Sequence, residues 1–225
     1  MHILFGISKE ILFLFIVIPT ALLGFIFPLT KVNKKPSRKK PIVFVHGWLN
    51  QNLLYYFLKR HLEKQGYQVY MTNFGLLTGD INQNAYLLSN FFEKKKLKNT
   101  ILIGASLGSL IGFHYLQELE GWNRVEKFIA IGGPFMGFPL AKLFFFLKSG
   151  KQMSPNSKYL KDLFNKYVKN IEKIVCISSK YDEIVPANSS KIKGARSETL
   201  KIVGHVNLLA FSSQVYKLIT NYASL

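Results

Sequence analysis

Cysteine is nearly absent from this sequence. Cys176 is the single one in 225 residues, so no disulfide closes within the chain. It lies in the apolar run Ile174 to Ile177 and reads as a buried free thiol. No His/Cys/Asp/Glu spacing suited to a metal occurs, and neither a P-loop nor a dinucleotide-type glycine pattern is found, so no metal or other cofactor is implied. There is no internal repeat, and low complexity is confined to the short runs at Lys94 to Lys96 and Phe144 to Phe146. Acidic residues are scarce as well, 12 against 30 Lys and Arg. What is abundant is apolar: 48% of residues, a share that excludes a disordered chain and suits one domain with a buried core.

The net charge of +18 raises the question of a nucleic-acid partner. Its distribution argues against one. Residues 31–40 (KVNKKPSRKK) hold six basic residues and no acid. Removing residues 1–40 takes away seven basic residues and Glu10, leaving 23 against 11, a net of +12. The remaining lysines are scattered over helices and loops without a recognisable nucleic-acid module. Solvated faces and attraction to anionic lipid account for them better than base readout.

From Ile11 to Leu29 the sequence ILFLFIVIPTALLGFIFPL carries no charge. As a helix it has about the length of a bilayer's hydrocarbon core. A secretory signal peptide would begin with a basic region and end in a small-residue cleavage site; here Lys9 is partnered by Glu10, and no such site precedes the basic block. The expectation is an uncleaved, single-pass N-terminal transmembrane helix in residues 1–30, a basic linker over 31–40 and a folded domain over 41–225. Because cytoplasmic flanks collect Lys and Arg, the domain is expected on the cytoplasmic side.

After Pro41, short apolar runs alternate with longer helical segments, the pattern of an α/β domain with a mostly parallel sheet flanked by helices. Strands are predicted at Ile42 to Val45, Gln68 to Met71, Thr100 to Ile103, Lys127 to Ile131, Lys173 to Ile177 and Thr199 to Val203. Helices are predicted at Asn52 to Gln65, Asn82 to Lys96, Leu107 to Leu119, Lys158 to Val168 and Asn207 to Tyr222.

The chemistry concentrates where these elements meet. GASLG, Gly104 to Gly108, lies between the strand TILI and a helical segment. A serine on so sharp a turn needs small residues two before and two after it, and glycine occupies both places. Ser106 is therefore the candidate nucleophile, against the plainer reading of a serine that only caps the helix. A serine needs a base, and the base an orienting acid. Asp182 follows the strand KIVCI in SSKYDEIVP, with Glu183 beside it as the alternative acid. His205 follows the last strand. Of the other histidines, His2 precedes the apolar segment, His61 and His114 fall within helices, and His46 sits in a loop that it is expected to brace. In PIVFVHGWLNQ a strand ends in His46-Gly47-Trp48, so the N–H groups of Trp48 and Leu107 are the candidate oxyanion donors.

HGW, GASLG, YDEIVP and GH, in this order and on these elements, make residues 41–225 resemble the α/β-hydrolase superfamily, in particular small bacterial lipases and esterases. The resemblance implies a triad of Ser106, Asp182 and His205, with Trp48 and Leu107 as oxyanion donors. Two departures stand out: Ala105 occupies a position where many lipases carry histidine, and the chain is short, which argues against a large separate lid. The implied activity is hydrolysis of a lipid or other apolar ester. Thioesterases, acyltransferases and amidases use the same machinery, and a catalytically silent membrane-bound scaffold is the non-enzymatic alternative. The apolar run Pro134 to Leu147 is an acyl-chain wall, a mobile flap that opens at a membrane, or core packing, with Phe135 and Met136 as candidate substrate contacts.

Overall fold

Apolar runs pair side by side at the centre of one six-stranded sheet because they can bury both faces there, while the largely exposed last strand closes one edge. In the computed structural model, which describes residues 15, 17, 19–33 and 37–225, the strands are β1 (Ile42–Val45), β2 (Val69–Met71), β3 (Thr100–Ala105), β4 (Val125–Ile131), β5 (Ile174–Tyr181) and β6 (Arg196–Val203). Every neighbouring pair is parallel, in the order β2-β1-β3-β4-β5-β6. Both β1 and β3 are buried throughout, as expected of strands covered on two sides.

Side chains alternate between two cores. Val43 and Val45 face one core, while Ile42 and Phe44 face the other. The first is closed by α3 (Ile81–Lys94) and α4 (Leu107–Glu118), with Met153 of α5 (Lys148–Met153) and Leu160 and Leu163 of α6 (Lys158–Phe164). The second is closed by α2 (Tyr56–Lys64) and α7 (Ser213–Ser224) through Leu58, Leu62, Val215 and Ile219. Starts are capped where the sequence offers a short polar side chain: Asp80 accepts from the Asn82 N–H at 2.8 Å, and Ser157 and Ser212 do the same for α6 and α7.

Some boundaries differ from the sequence expectation. The last helical stretch is divided: Asn207–Phe211 forms a π turn, and Ser212, extended, restarts the chain as the N-cap of α7. The short helix α5 arises in a polar stretch without apolar periodicity. β6 begins at Arg196, earlier than expected, because its first residues lie at an exposed sheet edge and carry no apolar signal.

Residues 15, 17 and 19–26 are helical and form α1. Val17 packs on the second core and Ala21 is buried, whereas Phe15, Leu22, Leu23, Phe25 and Ile26 are exposed. Among the described residues no helix is long and apolar enough to cross a membrane. The span expected over 11–29 lies partly outside them, at 11–14, 16 and 18, as do residues 34–36 of the expected linker.

The strand order reverses direction at β1 and β3: the chain leaves β1 toward β2 on one side and passes to β3 on the other. Loops that follow these two strands diverge at the carboxyl edge and leave a crevice between them, which is where open α/β sheets place ligands.

Candidate active site

The tightest turn of the chain stands at that crevice. Ser106 links β3 to α4 with φ 50° and ψ −121°, a backbone state that strains any residue with a Cβ. Both flanking glycines are needed for close approach. A Cβ at Gly104 would stand 2.6 Å from the Gly108 carbonyl oxygen, and one at Gly108 would stand 2.2 Å from the Val45 carbonyl oxygen. The Ser106 N–H donates to the Ile131 carbonyl at 2.8 Å and the Ser109 hydroxyl to the Gly104 carbonyl at 2.8 Å, so the turn is tied to β4 and to its own strand.

Ser106 occupies the N-cap position of α4, yet its side chain caps nothing. Its Oγ instead lies 3.1 Å from His205 Nε2. On the other side of the ring, His205 Nδ1 lies 2.7 Å from Asp182 Oδ2. An ionised carboxylate only accepts, so Nδ1 carries the proton and Nε2 is left to accept from the Ser106 hydroxyl. The other carboxylate oxygen of Asp182 accepts from the N–H groups of Ile184 at 3.0 Å and Val185 at 2.8 Å. These bonds lock a side chain that is 1% exposed. Glu183 is held differently: its carboxylate receives the backbone N–H of His205 at 3.1 Å. Of the two acids that the sequence offers, Asp182 is thus the one at the imidazole and Glu183 is a brace for the loop.

The turn after β1 runs against the elbow; a Cβ at Gly47 would stand 3.2 Å from Ser106 Cβ. Two buried rings hold it. His46 Nδ1 donates to the Gly47 carbonyl at 2.9 Å, and the Gly47 N–H donates to the Tyr55 hydroxyl at 3.1 Å. Burial lowers the His46 pKa to about 4, partly opposed by that hydrogen bond, so the ring is neutral at neutral pH. Burial likewise pushes the Tyr55 phenol above its ordinary value. Leu107 opens α4, where an N–H has no partner within the helix. Leu107 directly follows Ser106, and Trp48 lines the same cavity as Ser106.

A cavity of about 280 Å³ opens over Ser106 and His205. Its walls are apolar: Trp48, Leu54, Phe138, Phe144 and Leu209, with Val17 of α1 contributing to one side. Trp48 meets the Phe144 ring edge-on at 4.8 Å. The Pro134 to Leu147 run is therefore divided between roles. Phe138 and Phe144 line the cavity, Ala141 is core, and Leu143, Phe145 and Phe146 are exposed. Phe135 and Met136, expected as substrate contacts, are not among the residues lining this cavity. They lie in a separate groove, because the turn at Gly137 carries the chain away from them before it returns at Phe138. The wall residues Leu54 and Leu209 carry no distinguishing signal in the sequence, since each reads as an ordinary apolar position of a helical segment.

Among the other histidines, His61 Nε2 lies 3.1 Å from the Thr220 hydroxyl between α2 and α7, and His114 stacks on Tyr159. Neither lines the cavity.

A model of the family described as "alpha/beta hydrolase fold" matches residues 40–156. Among solved structures, the mature form of the lipase BlEst2 from Bacillus licheniformis is similar at 15% identity and a TM-score of 0.70, over 84% of this chain and 94% of that one. The chain spans about half, 52%, of the same lipase in its propeptide form. The esterase EaEST from Exiguobacterium antarcticum is similar at 18% identity and a TM-score of 0.65, over 87% and 96%. The carboxylesterase CesB from Bacillus subtilis is similar at 14% identity and a TM-score of 0.59, over 83% and 84%.

Proposed function

The chain belongs to the alpha/beta hydrolase fold family, and from that premise we propose that it is a serine hydrolase cleaving carboxylic esters with apolar acyl groups. The observation that carries this reading is the continuous relay from the Ser106 hydroxyl through His205 to a buried, fully bonded Asp182. A serine that only capped a helix would have no use for it.

In the reaction, His205 Nε2 takes the hydroxyl proton as Ser106 Oγ attacks the ester carbonyl carbon. The carbonyl oxygen becomes an oxyanion held by the N–H groups of Leu107 and Trp48. Collapse of the tetrahedral intermediate breaks the bond to the alcohol, which leaves with the proton from His205. Water, deprotonated by the same nitrogen, then attacks the acyl-enzyme, and release of the acid restores Ser106. Asp182 keeps the ring oriented and stabilises the imidazolium; it does not itself take the proton. The apolar cavity walls favour an acyl chain of several carbons, and the names of the similar lipase and esterases agree with an ester substrate.

A fluorophosphonate probe tests the reading directly. Labelling is expected at Ser106, and Ser106→Ala should lower hydrolysis of a p-nitrophenyl ester by about 10,000-fold or more with the fold intact. Folded protein that resists the probe would overturn the assignment.

The apolar segment over residues 11–29 is the proposed single-pass membrane anchor, followed by the basic linker 31–40, with the domain on the cytoplasmic side. Its support is the uncharged run itself and the six basic residues after it. The protein should stay with membranes in high salt, and protease added to intact cells should leave the domain uncut. Extraction by salt alone would replace the anchor with a peripheral attachment.

A further inference from the structure

Phe135 and Met136 belong to a second concavity, a groove of about 390 Å³ between α6 and the 191–193 loop. It shares no lining residue with the cavity over Ser106. Its floor is rigid and apolar. Phe135, Leu160 and Ile192 are buried, and Phe164 is clamped between Phe135 at 5.9 Å and a stacked Phe113 at 4.8 Å. Met136 is different: the residue is 63% exposed, although its backbone N–H is held by the Ser189 hydroxyl at 3.2 Å. A long apolar side chain held open on a fixed backbone is an adaptable contact for another apolar surface.

The rim is cationic. Lys161, Lys191 and Lys193 line the groove, and no carboxylate does. Elsewhere Lys40, Lys59, Lys158 and Lys166 are paired with Glu126, Glu63, Asp162 and Glu118, while most of the described lysines of this basic chain stand without a carboxylate. What sets Lys161, Lys191 and Lys193 apart is that they converge on one apolar groove. Among the described residues no ion pair includes any of the three at the rim. A free inorganic anion would leave the apolar floor wet, and a neutral chain would leave three ammonium groups without a counter-charge. One ligand class answers both features.

We propose that this groove binds a free single-chain anionic amphiphile, a medium-chain carboxylate being the simplest case. The chain lies over the Phe135–Phe164 floor and the head group sits among Lys161, Lys191 and Lys193. The volume falls in the range of about 300–1,000 Å³ usual for small-ligand sites. Such a ligand has the chemistry of a fatty acid, so the groove is suited to hold a hydrolysis product outside the catalytic cavity, yet its occupancy does not depend on Ser106 being reactive.

Two methionines make the test site-specific, because Met136 reports on the groove and Met153 lines the catalytic cavity. The full chain, with 13C-methyl methionine and in phosphatidylcholine nanodiscs, is titrated with decanoate, the Met136 signal being assigned through Met136→Leu. The Met136 methyl is expected to shift saturably at lower decanoate than Met153. Replacing the three lysines by glutamine should weaken that response about tenfold, since attraction between exposed charges is modest. Decanol should bind at least as weakly to the unaltered protein, and added salt should weaken decanoate alone. The proposal is overturned if only Met153 responds, if the triple variant binds as well as the parent, or if Met136 moves only when phosphatidylglycerol is placed in the nanodisc. That last result would make the groove a contact for membrane head groups. Failure of probe labelling at Ser106 would leave all of these readouts intact, so the two readings fail separately.

Discussion

The cavity over Ser106 and the groove beside Met136 are walled by the same kinds of side chain but treat polar groups in opposite ways. In the cavity the charged partner is turned inward. The Asp182 and His205 side chains are 1% and 6% exposed, and each polar atom named in the relay has a protein partner. In the groove the charges stand at the rim, in water and without protein partners. Attraction between groups withdrawn from water is strong and depends on geometry, whereas attraction at a wet rim is weak and screened by salt. The same apolar surface therefore supports chemistry in one place and only adhesion in the other, according to where its polar groups are held.

Neutralising the buried carboxylate breaks that contrast most severely. Asp182→Asn should lower kcat for a p-nitrophenyl ester by about 1,000- to 10,000-fold, because the amide cannot both orient the ring and balance an imidazolium. Glu183→Gln, at a carboxylate that accepts from the His205 backbone N–H, should cost under about tenfold. If Glu183→Gln proves the more damaging change, the acid of the relay is misassigned.

Next in size is the pH response of the turn that braces the cavity. His46 titrates at about 4 in the folded chain, against 6.5 in its ordinary state. Its folded pKa is depressed, so the unfolded chain binds the proton first as pH falls. The stability tied to neutral, buried His46 is complete above the unfolded pKa and is lost on the way down to about pH 4, to a total of about 3 kcal/mol. Denaturant unfolding at pH 7 and pH 4.5 should show a smaller loss in His46→Asn than in the parent. Equal losses would mean that His46 is not held neutral.

A wall substitution sharpens the contrast by the smallest margin. Phe144→Ala should reduce kcat/KM for an octanoyl ester about tenfold, the loss expected from removing part of an apolar wall, while an acetyl ester is hardly affected. Decanoate binding at Met136 should be unchanged in this variant. A parallel loss of both would join two sites that the structure keeps apart.

Much of this was legible in the residues. Fully apolar runs such as IVFV and TILI announced buried parallel strands, because only such strands can be apolar on both faces. The glycines on either side of Ser106 announced the turn, because no Cβ fits against the Gly108 and Val45 carbonyls. Polar segments were less readable. β6 starts at an exposed edge and α5 has no apolar period, so neither left a pattern to detect.

The sequence by itself determined the order of strands and helices, the strained serine turn and the small set of groups able to serve as base and acid, since each follows from local sterics or from residue type. Tertiary structure alone decided which carboxylate reaches the imidazole. Asp182 and Glu183 are adjacent in the chain and alike in chemistry, and only the path of the loop between β5 and β6 separates them. It also decided that Phe138 and Phe144 face the serine while Phe135 and Met136 line a separate groove. An apolar run states that side chains will avoid water, but which surface they share is set by the backbone turn at Gly137 and by the helices that pack on either side of it.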